Sequence, residues 1–273
     1  MRVHASHLWG APEDIEPAFD AASAAGVPVT FDMYPYRKSS TILAVLLLPA
    51  ELQAGGPEQT VAALRDPARR AELLASESFS DQALRNLYLG CLPEQYARYA
   101  GLSVAEAVSD GAKSAGEWVL DLLADTGLNV GAHLDRPVLR EDHLTWLAGH
   151  GRHCTGSDGI YQGQHPHPRG YGAFSRLAEQ YLAAGRETGY QQIARHLAAH
   201  AADAYGLTSR GRLAAGMTAD VCVIGSGDIA DRAIYGAPQV QAPGVELVIV
   251  NGGVAWRGGE LIAGVRDGMF ISH

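Results

Sequence analysis

Apolar positions change period twice within the first 35 or so residues. Val3-His4-Ala5 is a short strand-like stretch running into Ser6-His7, and Gly10-Ala11-Pro12 breaks it. From Pro12 to Ala25, Ile15, Ala18, Phe19 and Ala22 fall on one helical face, with Gly26 placed as the stop. Val27-Pro28-Val29-Thr30-Phe31 then reads as a buried strand that ends in Asp32-Met33-Tyr34-Pro35-Tyr36. Strand, helix, strand in this span predicts a βαβ unit, and hence parallel strands joined by a right-handed crossover.

From Ser39 to Gly101 that rhythm lapses. Ile42 to Leu48 is apolar, Glu58 to Ser76 is polar and helix-prone, and no βα alternation can be traced. The stretch of about 39–101 reads as an insertion after the second strand, a candidate lid. Val104 to Leu123 follows as a predicted helix with Trp118, Leu122 and Leu123 in the core. Asn129-Val130-Gly131-Ala132 is a third predicted strand, ending near His133, and Arg140 to Gly149 a connecting helix. A fourth strand at His153-Cys154-Thr155 ends in Gly156-Ser157-Asp158-Gly159, and helices near Ser175–Ala183 and Tyr190–Tyr205 complete residues 1–205. Residues 206–273 change to short strands and glycines, with Asn251-Gly252 the strongest hairpin signal in the chain. The expected class is α/β: about four βα units with an insertion, then a small β module.

Composition narrows the function. Hydrophobic residues are 47% and charged residues 19%, a mix that folds. Lys plus Arg number 21 against 30 Asp plus Glu, a net charge of −9, so there is no broad attraction for nucleic acid or an anionic membrane. Cys91, Cys154 and Cys222 are odd in number and far apart, which is no disulfide framework and points to the reducing cytoplasm. No apolar run reaches the roughly 20 residues that span a bilayer, and the chain opens without a signal-peptide-like apolar segment. A soluble protein acting on small molecules is expected.

In parallel α/β architecture, reactive groups gather where strands end. His7 closes the first predicted strand, Asp32 to Tyr34 the second and Asp158 the fourth, with His133 near the end of the third. Imidazole and carboxylate converging there suit a zinc site, where Asp158 can both bind the ion and take a proton from its water. A lone histidine can equally be a solvated residue, and Ser157-Asp158-Gly159 an ordinary turn; spacing leaves both open. His165-Pro166-His167 has an H-x-H form, but its prolines suggest an ordered loop. His196 and His200 share a helical face, no Glu follows His196, and a structural role is expected. Cys154 reads as a small apolar filler. Arg169, in a loop with Tyr171, suits bidentate capture of a carboxylate or a plain helix cap.

Taken in order, several segments carry a resemblance. They are Ser6-His7-Leu8, Asp32-Met33-Tyr34-Pro35-Tyr36 with Ser39-Ser40-Thr41, and Gly156-Ser157-Asp158-Gly159 followed by His167-Pro168-Arg169-Gly170-Tyr171-Gly172. Tyr205-Gly206-Leu207, Arg210-Gly211-Arg212-Leu213, Gly216-Met217-Thr218-Ala219-Asp220 and Val250-Asn251-Gly252 follow. Together they resemble the D-aminoacylase, or N-acyl-D-amino-acid deacylase, branch of the amidohydrolase superfamily.

The resemblance implies a (β/α)8 barrel with a β-sandwich, and zinc at the barrel mouth. It makes His7 a metal ligand on the fifth barrel strand and Asp158 the catalytic base and a second ligand on the eighth. Arg169 falls where the substrate's α-carboxylate is gripped, with Tyr34 and Tyr171 as further substrate-binding candidates. Tyr34 also takes the place of the sixth-strand histidine ligand. The implied activity is zinc-dependent hydrolysis of the amide bond of N-acyl-D-amino acids. Nothing in the sequence matches barrel strands one to four or the H-x-H of the first. The chain thus resembles the C-terminal portion of such an enzyme, to be completed by self-association or a complementary N-terminal chain. The alternatives are an inactive half-barrel and another amidohydrolase chemistry, such as cyclic amide hydrolysis.

Overall fold

The computed structural model describes residues 1–109, 111, 113–136, 139–225 and 228–271. Its strands are β1 (Val3–Ala5), β2 (Val29–Met33), β3 (Lys38–Ile42), β4 (Leu87–Cys91), β5 (Gly131–Asp135), β6 (His153–Thr155), β7 (Val221–Ile224), β8 (Val245–Val250), β9 (Gly253–Arg257) and β10 (Glu260–Leu261). They form three sheets. The helices used below are α1 (Pro12–Ala24), α2 (Ala115–Asp125), α3 (Glu141–Gly149) and α4 (Arg169–Ala183).

The predicted βαβ unit is present: β1 and β2 pair in parallel, Val3 opposite Val29 and Ala5 opposite Phe31, with α1 between them. A proline in its first turn starts α1, and Gly26, at φ 66°, lies just beyond its end. β6 pairs in parallel on the other side of β2, Phe31 opposite His153. Side-chain alternation gives this small sheet two unlike faces. Phe31 and Met33 turn into an apolar core with Ile15 and Phe19 of α1 and Leu144 and Leu147 of α3, and the Phe19 and Phe31 rings stack at 5.6 Å. Thr30 and Asp32 turn the other way and meet His4 in a chain of hydrogen bonds.

Among the described residues the parallel sheet has three strands, which corrects the expectation of four βα units. β5, read from sequence as the third of them, pairs antiparallel with both β3 and β4 in a separate sheet. A local pattern can announce a strand, but its partners here lie 90 or so and 45 or so residues away by sequence, and only packing chooses them. His133 consequently lies inside a strand of that second sheet rather than at a barrel-strand end. This lobe has its own core, from Leu43 through Leu64, Leu89 and Leu122 to Ala132. The single helix expected over Val104–Leu123 is two, Val104–Ala107 and α2. Two capping boxes, Ser103 with Glu106 and Ser114 with Glu117, each start a helix afresh.

After β6 the chain reaches α4, then Arg186–Ala194, a π turn over Arg195–Ala199 and His200–Ala204. That turn brings both His196 and His200 onto one carbonyl: each donates from Nδ1 to the oxygen of His153, at 3.0 and 2.9 Å. Their expected structural role is thereby given a partner. The last sheet is antiparallel, in the order β10-β9-β8-β7. Asn251 and Gly252 turn the β8–β9 hairpin with both φ values positive, 53° and 90°, as a two-residue type I′ turn requires. Among the described residues, no helix is long and apolar enough to cross a membrane.

Candidate active-site cleft

The carboxyl ends of β1, β2 and β6 open onto one cavity of about 580 Å³. Its walls include His7 and Trp9 after β1, Tyr34 after β2, Arg136 after β5, Asp158 after β6 and Arg169 at the start of α4. Of the residues chosen from sequence, His7, Tyr34, Asp158 and Arg169 share this cavity. Tyr171 does not line it; its ring packs edge-on against Tyr161 at 5.4 Å. His133 and the His165–His167 segment also fall outside it.

Asp32 shapes the first corner. Its carboxylate accepts the His7 backbone N–H at 2.7 Å, the Ser6 hydroxyl at 3.1 Å and His4 Nε2–H at 2.9 Å. These bonds turn the chain sharply after β1, placing exposed His7 at φ 40°. Asp158, at φ 45°, is the second site residue held in the left-handed region that non-glycine residues seldom adopt.

At the other corner Arg169 is buried, 1% exposed, and its Nη2 lies 2.8 Å from Asp158 Oδ2. The same Nη2 donates to the Ser40 carbonyl at 3.3 Å, and the guanidinium lies 4.6 Å from the Tyr34 ring centroid. Burial pushes the Tyr34 phenol well above its ordinary pKa, with the Arg169 charge opposing the rise, so the hydroxyl stays protonated. His167 fixes the backbone beneath. Its Nδ1 accepts the Arg169 N–H at 3.0 Å, so the proton is on Nε2, which donates to Lys38 O at 2.9 Å, with Tyr235 Oη at 3.1 Å. Burial, with the His133 ring and the Arg169 charge, drives His167 down to about 2 and keeps it neutral. His167, the second histidine of the H-x-H pattern, therefore serves packing: both its nitrogens face protein atoms.

Sequence reasoning missed Arg136. It is exposed, stacks 4.9 Å over the Trp9 ring and donates to Ser39 Oγ at 3.4 Å. Nothing local marks it; β5 had been assigned to another sheet, and only the true sheet carries its end to the cleft.

A sequence profile of the amidohydrolase family matches residues 87–255. The chain belongs to the amidohydrolase family. It is 30% identical over 244 residues to the N-acyl-D-glutamate deacylase of Alcaligenes xylosoxydans xylosoxydans, covering 89% of this chain and 42% of that enzyme. The D-aminoacylase of the same organism is 31% identical over 123 residues, 44% of this chain and 25% of its own. Among solved structures, the N-acyl-D-glutamate deacylase from Bordetella bronchiseptica, complexed with zinc and a phosphonate inhibitor, superposes with a TM-score of 0.71 at 25% identity. That match covers 94% of this chain and 47% of the other. A D-aminoacylase crystal structure, at 22% identity and TM-score 0.70, shares the fold. This amidohydrolase chain thus spans less than half the length of the relatives it matches.

Zinc in that relative raises the question of donors here. His7 and Asp158 are the ligating side chains lining the cleft, and Asp158 is engaged by Arg169. Asp32 is committed to its three donors. Among the described residues no group of three or more His, Cys, Asp or Glu is gathered as a metal site requires. Two donors fall short of the three protein ligands of a catalytic zinc. The described residues of this amidohydrolase chain do not by themselves fit the ion.

Proposed function

We propose that this chain forms the substrate-gripping and proton-transferring wall of an N-acyl-D-amino-acid deacylase, built from the last three β/α units of a (β/α)8 barrel and part of a β-sandwich. Counted back from an eighth strand at β6, β1 takes the sixth place. His7 then answers to the sixth-strand imidazole instead of a fifth-strand one, and Tyr34 needs no ligand role. The observation that carries the proposal is the convergence of His7, Asp158 and Arg169 on one cleft at the carboxyl ends of parallel strands.

Amide hydrolysis adds water across a C–N bond. In this reading Asp158 takes a proton from the water as its oxygen bonds to the carbonyl carbon. Asp158 then returns the proton to the nitrogen as the C–N bond breaks, giving a carboxylic acid and a free D-amino acid. The substrate's α-carboxylate competes with Asp158 for Arg169. Binding at the guanidinium therefore frees the Asp158 carboxylate, beside the scissile amide, for this task. The three free cysteines suit the cytoplasm as the place of action.

A second reading is a subunit active only with a complementary N-terminal chain or after self-association. Two observations favour it: the cleft's two metal donors, and a parallel sheet in which β1 and β6 each have one neighbour among the described strands. Purified chain with near one zinc per molecule, releasing amine from N-acetyl-D-amino acids, supports the complete enzyme. Metal-poor, silent chain that gains activity with a polypeptide supplying further barrel strands supports the subunit. In either case Asp158→Asn abolishes the release, and retained turnover overturns its role.

A further inference from the structure

Beside the cleft lies a second cavity, of about 360 Å³, that the amide chemistry leaves unused. The two share Ser40, Thr41 and Ile160 as a common wall. Its floor is the antiparallel sheet β3-β5-β4 and its roof the segment 160–167. The roof is built in place: His165 N–H donates to Gly90 O at 3.1 Å, His133 Nε2 to His165 O at 3.0 Å and Gln164 Nε2 to Leu92 O at 3.2 Å. A Cβ on Gly163 would meet Cys91 at 2.5 Å, so roof and floor touch at one end while a void persists at the other.

The lining carries neither a carboxylate nor a Lys or Arg side chain among the described residues. Ile42, Cys91, Leu128, Val130, Ile160 and Pro166 give it its apolar surface, and Ser40, Thr41, Asn129, Gln162 and three histidines its polar groups. His133, which also lines it, is 7% exposed and lowered to about 4, chiefly by burial, so it is neutral at pH 7. With its proton on Nε2, its Nδ1 is a buried acceptor without a partner among the described residues. A carboxylate placed here would lose water and meet no Lys or Arg of the lining, whereas methylenes would gain contact with its aliphatic side chains.

We propose that this cavity is a subsite for the uncharged, apolar limb of an N-acyl amino acid seated in the cleft, and that it rejects a second carboxylate. The proposal rests on the deacylase reading and deepens it. The preference runs against the acidic side chain for which the N-acyl-D-glutamate relative is named. The limb is either the acyl chain or the amino-acid side chain; both offer the same chemistry.

Alkylation of Cys91 by iodoacetamide, with exposed Cys222 as internal reference, reads the occupancy of the cavity in the native chain. n-Hexanamide up to its solubility limit is expected to slow Cys91 and not Cys222, while n-hexanoate leaves both unchanged. An unaltered Cys91 rate with n-hexanamide, or equal protection by n-hexanoate, overturns the cavity and leaves the deacylase reading untouched. Protection by N-hexanoyl-D-alanine at concentrations at least about ten-fold below N-acetyl-D-alanine assigns the acyl limb. The same advantage for N-acetyl-D-leucine assigns the side chain, and N-acetyl-D-glutamate shows neither. If n-hexanamide protects and no N-acyl amino acid does, the deacylase reading fails and the subsite assignment with it.

Discussion

Asp158 and Arg169 are joined at 2.8 Å across the cleft, the carboxylate 40% exposed and the guanidinium 1%. The asymmetry matters. Water solvates the carboxylate from one side, whereas the arginine depends on protein partners: Asp158, Ser40 O and the Tyr34 face. The pair is thus a buried cation with a half-solvated partner, the arrangement that the proposed exchange of one carboxylate for another needs.

Asp158→Asn tests that asymmetry in stability. Asparagine tolerates the left-handed backbone at φ 45° and keeps an oxygen toward Nη2, so the fold is retained. The arginine exchanges an ionic partner for a neutral one, with solvent screening limiting the loss. The expected cost is about 1–2 kcal/mol. Urea unfolding measures it; no change would mean that Arg169 takes its stability elsewhere.

Acid should destabilise the chain before its carboxylates titrate. Burial lowers His133 to about 4, His153 to about 3 and His167 to about 2, all below the ordinary value near 6.5. The unfolded chain gains protons below about pH 6.5 while the folded chain refuses them, so stability is full above that pH and lost as pH falls toward the folded values. The urea midpoint is expected to hold level above about pH 7 and to drop between about pH 6 and 5. His133→Gln should make that drop shallower by one proton; a midpoint flat to about pH 5 contradicts the neutral assignment.

What could be read from sequence was local, and what could not was pairing. The α1 stripe of Ile15 and Phe19, the Asn251-Gly252 hairpin and the strand ends at His7 and Asp158 each declare themselves within a few residues. β5 also declared itself as a strand, yet its neighbours β3 and β4 are set by the core between Leu43 and Ala132, which no short window contains. Arg136 was lost with β5. The His153 carbonyl shared by His196 and His200 depends on a π turn that helical spacing does not announce.

The segment 228–235 is tied to Tyr36 beside Gly172 of α4. Tyr36 Oη donates to Asp231 Oδ2 at 2.6 Å, and Ala233 N–H donates to Asp231 Oδ1 at 2.9 Å. A Cβ at Gly172 would fall 2.0 Å from that Oδ1 and 2.4 Å from Tyr36 Oη, and it cannot fit without parting them. Gly172→Ala should therefore cost about 1–3 kcal/mol in urea unfolding despite better helix propensity. A stabilised variant would show that the contact gives way.

Arg136 offers a last discriminating case, because two cations line the cleft and only one is exposed. In the proposed reading Arg169 grips a substrate carboxylate by displacing Asp158, whereas Arg136 stands open to solvent, 4.9 Å from the Trp9 ring centroid. An incoming carboxylate meets Arg136 first, with little desolvation of the guanidinium. If Arg136 is only the encounter site, Arg136→Gln slows association of N-acetyl-D-alanine and leaves its Kd within about two-fold. If it shares the carboxylate in the bound state, Kd rises about ten-fold, or about 1.4 kcal/mol. The buried position of Arg169 favours the first outcome, since the proposed reading gives the final grip to the cation shielded from water, and Arg169→Met is then expected to abolish binding whichever way Arg136 acts. Stopped-flow association rates and calorimetric Kd values separate the two. Unchanged rates and affinities in Arg136→Gln would remove this residue from the path of the substrate.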